Sequence, residues 1–254
     1  MSMRPNSLWE IWANGQAASN CWLNTPSAYV AELIAHQGWD SVTVDLQHGM
    51  IGMEDAYAMV TAISTTDCVP LVRVPWNDPA QIMRALDAGA YGIIAPMINN
   101  RQECEAFVGA CRYAPEGYRS VGPNRALLYG GSSYLDKANR TIVTFAMIET
   151  VEGLAHLESI CETPGLDGVL IGPSDLGLSM GREAKSNQTD PEVVEAIEHI
   201  LKTAKETGKK TAIFNSDVTY AREMAEKGFD LVTAASDTGM IRNGAELLKE
   251  LKGH

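Results

Sequence analysis

Short runs rich in Val, Ile and Leu alternate along the chain with longer stretches whose apolar residues recur every three or four positions. The first pattern predicts strands buried on both faces, the second amphipathic helices. Residues 20–24 (NCWLN) read as a first strand, and Pro26 opens a helix that stops at Gly38. WDSVTVDLQHG, CVPLVRVP, YGIIAPMI, TIVTFAMIET, LDGVLIGPSD, KKTAIFN and FDLVTAASD supply seven more strands, each followed by a helical stretch. Asp78 caps one of these helices, with Pro79 at its first position. VEGLAHLESICETPG reads as a single helix, and RNGAELLKELKG as the last one. Eight such units predict a closed parallel (β/α)8 barrel that forms a single domain over residues 1–254. A short leading helix, SLWEIWAN, is placed to plug the bottom of the barrel. Residues 115–140 break the rhythm, and a loop of that length points to an interface or structural role.

Barrel chemistry sits where the strands end. The polar residues there are Asn24, Asp45, Gln47, His48, Arg73, Glu149, Thr150, Ser174, Asp175, Asn215, Ser236 and Asp237. Glu149 and Asp175 follow neighbouring strands. Two carboxylates with open positions suit an octahedral Mg²⁺ or Mn²⁺, and Co²⁺ meets the same donors. Strand-end amides or a buried arginine would satisfy the same carboxylates without a metal. His48 alone of the five histidines lies at a strand end, three residues after Asp45, where an imidazole suits acid–base work. The others lie in helices or, for His254, at the terminus. Arg73 sits in an otherwise apolar strand and needs an anion there. A developing enolate or carboxylate would serve, and so would an ion pair with Asp45 or Glu149. The turn through Gly172, Pro173, Ser174 and Asp175 offers backbone N–H groups for a carboxylate. None of the nine lysines is placed to form a Schiff base at a strand end, which favours metal over imine activation. No G-x-G-x-x-G follows the first strand, so a dinucleotide site is not expected.

Composition narrows the setting. Twenty Lys and Arg against thirty-two Asp and Glu give a net charge of −12, which disfavours nucleic acid and anionic membranes as partners. Five cysteines without a C-x-x-C pair fit free thiols in a reducing cytoplasm better than disulfides or zinc. The N-terminus lacks the apolar core of a signal peptide, and no run approaches a membrane span.

Five segments, VDLQHG (44–49), residues 73–97 from RVPWNDP to IIAPM, EGYRSVGP (116–123), IETVEGL (148–154) and DGVLIGPSDLGLSMG (167–181), together resemble the class II pyruvate aldolases. Those enzymes cleave 4-hydroxy-2-oxo acids, such as 2,4-dihydroxyhept-2-ene-1,7-dioate and 2-keto-3-deoxy sugar acids, into pyruvate and an aldehyde. The resemblance spans nearly the whole chain. It implies that Glu149 and Asp175 hold the metal, that His48 is the acid–base residue, and that Arg73 stabilises the pyruvate enolate. It implies contacts from the Ser174 and Asp175 amides to the pyruvate carboxylate. Asp87 matches the aspartate that raises the basicity of the histidine, with Asp45 a second candidate. Met147 stands where the family often has a substrate-contacting Gln, so that wall of the pocket should be less polar. From their places near strand ends, Trp22 and Trp76 would either add aromatic walls or belong to the core. The resemblance also implies a homo-oligomer, a hexamer built from dimers that exchange the last helix, here Met240 to Gly253. Alternatives are an oxaloacetate decarboxylase, a relative of the citrate and malyl-coenzyme A lyases, and a non-catalytic barrel that binds a 2-oxo acid.

Overall fold

Each of the eight apolar runs forms a strand in the computed structural model, which describes residues 3–252. The strands are β1 (Ala18–Leu23), β2 (Ser41–Asp45), β3 (Val69–Arg73), β4 (Gly92–Ala95), β5 (Val143–Ile148), β6 (Gly168–Ile171), β7 (Lys210–Ile213) and β8 (Leu231–Ser236). All neighbours pair in parallel and in chain order, and β8 returns to β1 to close the barrel. The expected fold is therefore the observed one. Nearly every strand residue is buried, as expected for strands covered by helices outside and side chains inside. The interior holds some polar groups, and they satisfy one another. Asn20 accepts from Ser41 and Thr43 at 3.0 Å each and donates to Thr233 at 3.1 Å.

The leading helix, Ser7–Ala13, does close the bottom. Trp12 donates its indole N–H to the Asp230 carbonyl at 2.8 Å, and Asn6 donates to the carbonyls of Tyr91 and Thr141. Those carbonyls lie just before strands, at the end opposite the strand termini. All five cysteines are free and buried. Among the described residues no helix is long and apolar enough to cross a membrane.

Several local expectations change. The helix after β1 starts at Ala28 rather than Pro26, because the Ser27 hydroxyl caps it by accepting from Val30 N–H. The stretch after Glu149 splits at His156 into Val151–Ala155 and Leu157–Cys161. The Gly-rich turn after β6 is a helix, Pro173–Ser179, with proline in its first turn. The segment 115–140 forms two helices, Asn124–Gly130 and Tyr134–Thr141, the second running one residue past it, and has a structural centre. There the Arg119 guanidinium lies 4.5 Å from the Tyr113 ring centroid and 5.6 Å from that of Tyr134. The last stretch breaks at Gly244 into Asp237–Asn243 and Ala245–Lys252. The expected ends of this region, Gly253 and His254, lie outside the described residues.

Candidate active site

Strand register assembles the pocket. Asp45 pairs with Arg73 at the ends of β2 and β3, and Ile148 with Ile171 sets Glu149 beside Gly172. A cavity of about 220 Å³ opens over these ends, lined among others by Trp22, Asp45, His48, Arg73, Met147 and Ser174. Asp175 and Gly172 also line it. Seven of the nine sequence-picked site residues thus meet in one place: His48, Arg73, Asp45, Met147, Gly172, Ser174 and Asp175. Glu149 packs against the cavity wall, since a Cβ on Gly172 would lie 2.5 Å from its Oε2.

Arg73 is 9% exposed and donates twice to Asp45, Nε at 2.8 Å and Nη2 at 2.5 Å. The ion-pair alternative is therefore realised, with the guanidinium still facing the cavity. Burial alone would raise the Asp45 carboxyl, but the Arg73 bonds and charge hold it below its ordinary range. Asp45 also accepts from the backbone N–H groups of Gln47 (3.0 Å) and His48 (3.3 Å). It thereby shapes the turn that carries the exposed His48 side chain over the cavity.

Glu149 is 3% exposed, and its Oε1 accepts from Met97 N–H at 2.8 Å. Burial pushes its carboxyl up to about 7, and the nearby Asp175 charge adds to this. Met97 is the one described non-glycine residue with positive φ (55°), and this backbone turn aims its N–H at Glu149. A buried carboxylate with so little compensation, with the Asp175 charge nearby, fits a hard divalent cation. The described residues contain no cluster of three or more His, Cys, Asp and Glu, so water and substrate oxygens would complete the shell.

The other walls are apolar. Trp22 packs edge-on to Phe214 at 5.2 Å, and the Arg73 guanidinium carbon lies 4.9 Å from the Trp22 ring centroid. Met147 lines the cavity with a thioether, which cannot donate a hydrogen bond. Trp76 does not contribute; it is 58% exposed. Within one chain Asp87 does not join this cavity. It ends the helix Pro79–Asp87, pairs with Arg119 at 2.7 Å, and borders a different cavity with Arg84 and Arg125. A helix after a parallel strand runs back toward the strand starts, so its last residue lies at the far end from His48 of its own chain. Phe214 and Met97 escaped the sequence reading. Inside–outside alternation along β7 could have found Phe214, but no sequence signal marks the Met97 backbone.

A closed parallel barrel whose pocket lies at the C-terminal ends of its strands is the architecture of a barrel enzyme. The comparisons are specific: residues 18–244 match the HpcH/HpaI aldolase/citrate lyase family, and the chain belongs to it. It is 42% identical to hydroxypyruvate/pyruvate aldolase of Rhizorhabdus wittichii, over 94% of this chain and 96% of that protein. It is 35% identical to 4-hydroxy-2-oxo-heptane-1,7-dioate aldolase of Salmonella dublin, over 92% and 89%. A solved HpcH/HpaI aldolase/citrate lyase family protein of Burkholderia cenocepacia superposes with a TM-score of 0.89 at 30% identity, covering 97% of this chain and 99% of that one.

Proposed function

We propose that this chain is a divalent-metal-dependent aldolase that cleaves or forms 4-hydroxy-2-oxo acids through a pyruvate enolate. The observation that carries it is the pocket: Arg73, His48 and the start of the helix Pro173–Ser179 converge beside two carboxylates, one buried and short of partners. The names of the relatives agree with carbon–carbon lyase chemistry on pyruvate.

Glu149 and Asp175 would hold Mg²⁺ or Mn²⁺, which when bound supplies a Lewis acid that polarises the 2-oxo carbonyl. The Ser174 and Asp175 amides occupy the first turn of their helix, where N–H groups lack intrahelical acceptors, and receive the substrate carboxylate. Trp22, Met147 and Phe214 exclude water around the methylene carbon that becomes C3 of pyruvate. In cleavage, His48 accepts the proton of the C4 hydroxyl as the C3–C4 bond breaks. Arg73, held rigid by Asp45, faces the negative charge that develops on the pyruvate fragment. Proton return at C3 completes pyruvate, and synthesis reverses the steps.

We also place the protein in a homo-oligomer. The helix Ala245–Lys252 leaves Leu247, Leu248 and Leu251 exposed, and Met240 and Ile241 just before it are exposed as well. Such a stripe matches a second copy of this chain better than water.

The test of the chemistry is exchange of the pyruvate methyl protons with solvent deuterium, followed by NMR with Mn²⁺ and with EDTA. Exchange that needs metal and disappears in His48→Ala is expected. Absence of exchange with any divalent metal would exclude the pyruvate enolate.

A further inference from the structure

Past His48 the small pocket opens into a larger cavity of about 610 Å³, and the two share Asn24, His48 and Phe214. On the aldolase reading above, a bond made or broken beside His48 has the pyruvate fragment in the small pocket. The aldehyde fragment then lies in the larger one.

The lining of that cavity is polar. Ser186, Asn215, Ser236 and Thr238 bring hydroxyl and amide groups, and Arg242 brings the guanidinium. Among the described residues no Asp or Glu lines it. Two of its groups have no side-chain partner among the described residues that would occupy the cavity-facing atoms. Asn215 is 1% exposed; its Nδ2 donates to the Phe214 carbonyl at 3.0 Å, but its Oδ1 accepts from no described residue. The side chain of Arg242, exposed on the helix Asp237–Asn243, makes no hydrogen bond or ion pair with any described residue. By contrast, the buried Arg73, Arg112 and Arg119 are each paired with a carboxylate. A guanidinium fork without a carboxylate, on a protein of net charge −12, sets a local positive sign and matches carboxylate or phosphate oxygens. A buried amide oxygen matches a hydroxyl donor.

We propose that this cavity is the aldehyde site and that it selects a hydroxylated aldehyde ending in an anion, carboxylate or phosphate. Arg242 reads the anion, and Asn215 Oδ1 accepts from a chain hydroxyl.

The test uses the Mn²⁺-loaded protein, pyruvate and two matched pairs of aldehydes: butanal against 4-oxobutanoate, and glyceraldehyde against its 3-phosphate. Arg242→Gln is expected to lower kcat/KM at least tenfold for an anionic aldehyde while the neutral aldehydes stay within twofold. Arg242→Lys should recover part of that loss. Pyruvate methyl exchange should be unchanged in both variants. A loss for either anionic aldehyde supports the assignment, and the larger loss names the anion. Asn215→Leu should erase a preference for glyceraldehyde over butanal; a preference that survives removes the hydroxyl contact. Equal effects of Arg242→Gln on charged and neutral aldehydes, or none, would overturn the role of Arg242 and leave the aldolase reading intact. No exchange in the unsubstituted protein would overturn that reading, and this inference with it.

Discussion

The metal-free protein should lose stability as pH rises through the window from 4.5 to about 7, and Glu149 is the group responsible. Burial first, and then the Asp175 charge, lift its carboxyl from 4.5 to about 7, against the Met97 hydrogen bond and the Arg73 charge. In the unfolded chain it regains its ordinary value. Below 4.5 both states carry the proton. Inside the window the folded state still holds a proton that the unfolded chain has released, so stability falls with pH. Above about 7 both states are ionised and the loss is complete. The difference between 4.5 and about 7 corresponds to about 3 kcal/mol, a large share of a typical domain's stability. Urea unfolding in EDTA from pH 4.5 to 8, on the unsubstituted protein and on Glu149→Gln, measures it. The two should be close at pH 4.5, and the variant should be the more stable by about 3 kcal/mol at pH 8. Excess Mn²⁺ at pH 8 should restore the unsubstituted protein and not the variant. Parallel pH profiles for the two proteins would refute both the raised proton affinity and the idea that Glu149 stands ready for a cation.

Other residues give sharper tests of the chemistry. Arg73→Ala should reduce turnover by about 10²–10³, the usual effect of removing a charge stabiliser, with unchanged turnover taking Arg73 out of the mechanism. Gly172→Ala places a Cβ 2.5 Å from Glu149 Oε2 and 3.2 Å from the Met147 Cε. Calorimetry should find Mn²⁺ affinity at least tenfold weaker (~1.4 kcal/mol) in a protein that still folds. Asp45→Asn strips a buried guanidinium of its charged partner and should destabilise the protein by about 3–5 kcal/mol. Denaturant midpoints measure that, and a change under 1 kcal/mol would mean that Arg73 finds another anion (the scale of an exposed pair).

The barrel was legible because strand and helix periods differ and both recur eight times. The rule that places chemistry at strand ends then gathered His48, Arg73, Glu149 and Asp175 without help from tertiary structure. Features that depend on what packs where were not legible. Trp22 and Trp76 both stand near strand ends, yet Trp22 projects inside the barrel from β1 while Trp76 lies beyond β3 in solvent. Asp87 was expected beside His48, but within one chain the helix carrying it runs back to the strand starts, where it pairs with Arg119. Arg119 sits in the segment 115–140, and its contacts with Tyr113 and Tyr134 lie 6 and 15 residues away along the chain and leave no local pattern. Met97 acts through its backbone N–H, so its side chain carries no trace of the role.

Asp45 and Glu149 show how one rim assigns different tasks to two buried carboxylates. Asp45 meets a guanidinium in two bonds and two backbone N–H groups, and stays ionised. Glu149 meets one backbone N–H and a like charge, and holds its proton up to about 7. A cation bound beside Glu149 would displace its proton and leave Asp45 paired. The Arg73 charge is already balanced by Asp45, so it offers a 2-oxo acid anion direction more than net attraction. Without a cation, Asp175 and an ionised Glu149 would repel that anion. On the proposed mechanism, substrate affinity should then depend on the cation, while Arg73, fixed by Asp45 before the reaction begins, would meet the new negative charge without reorganising.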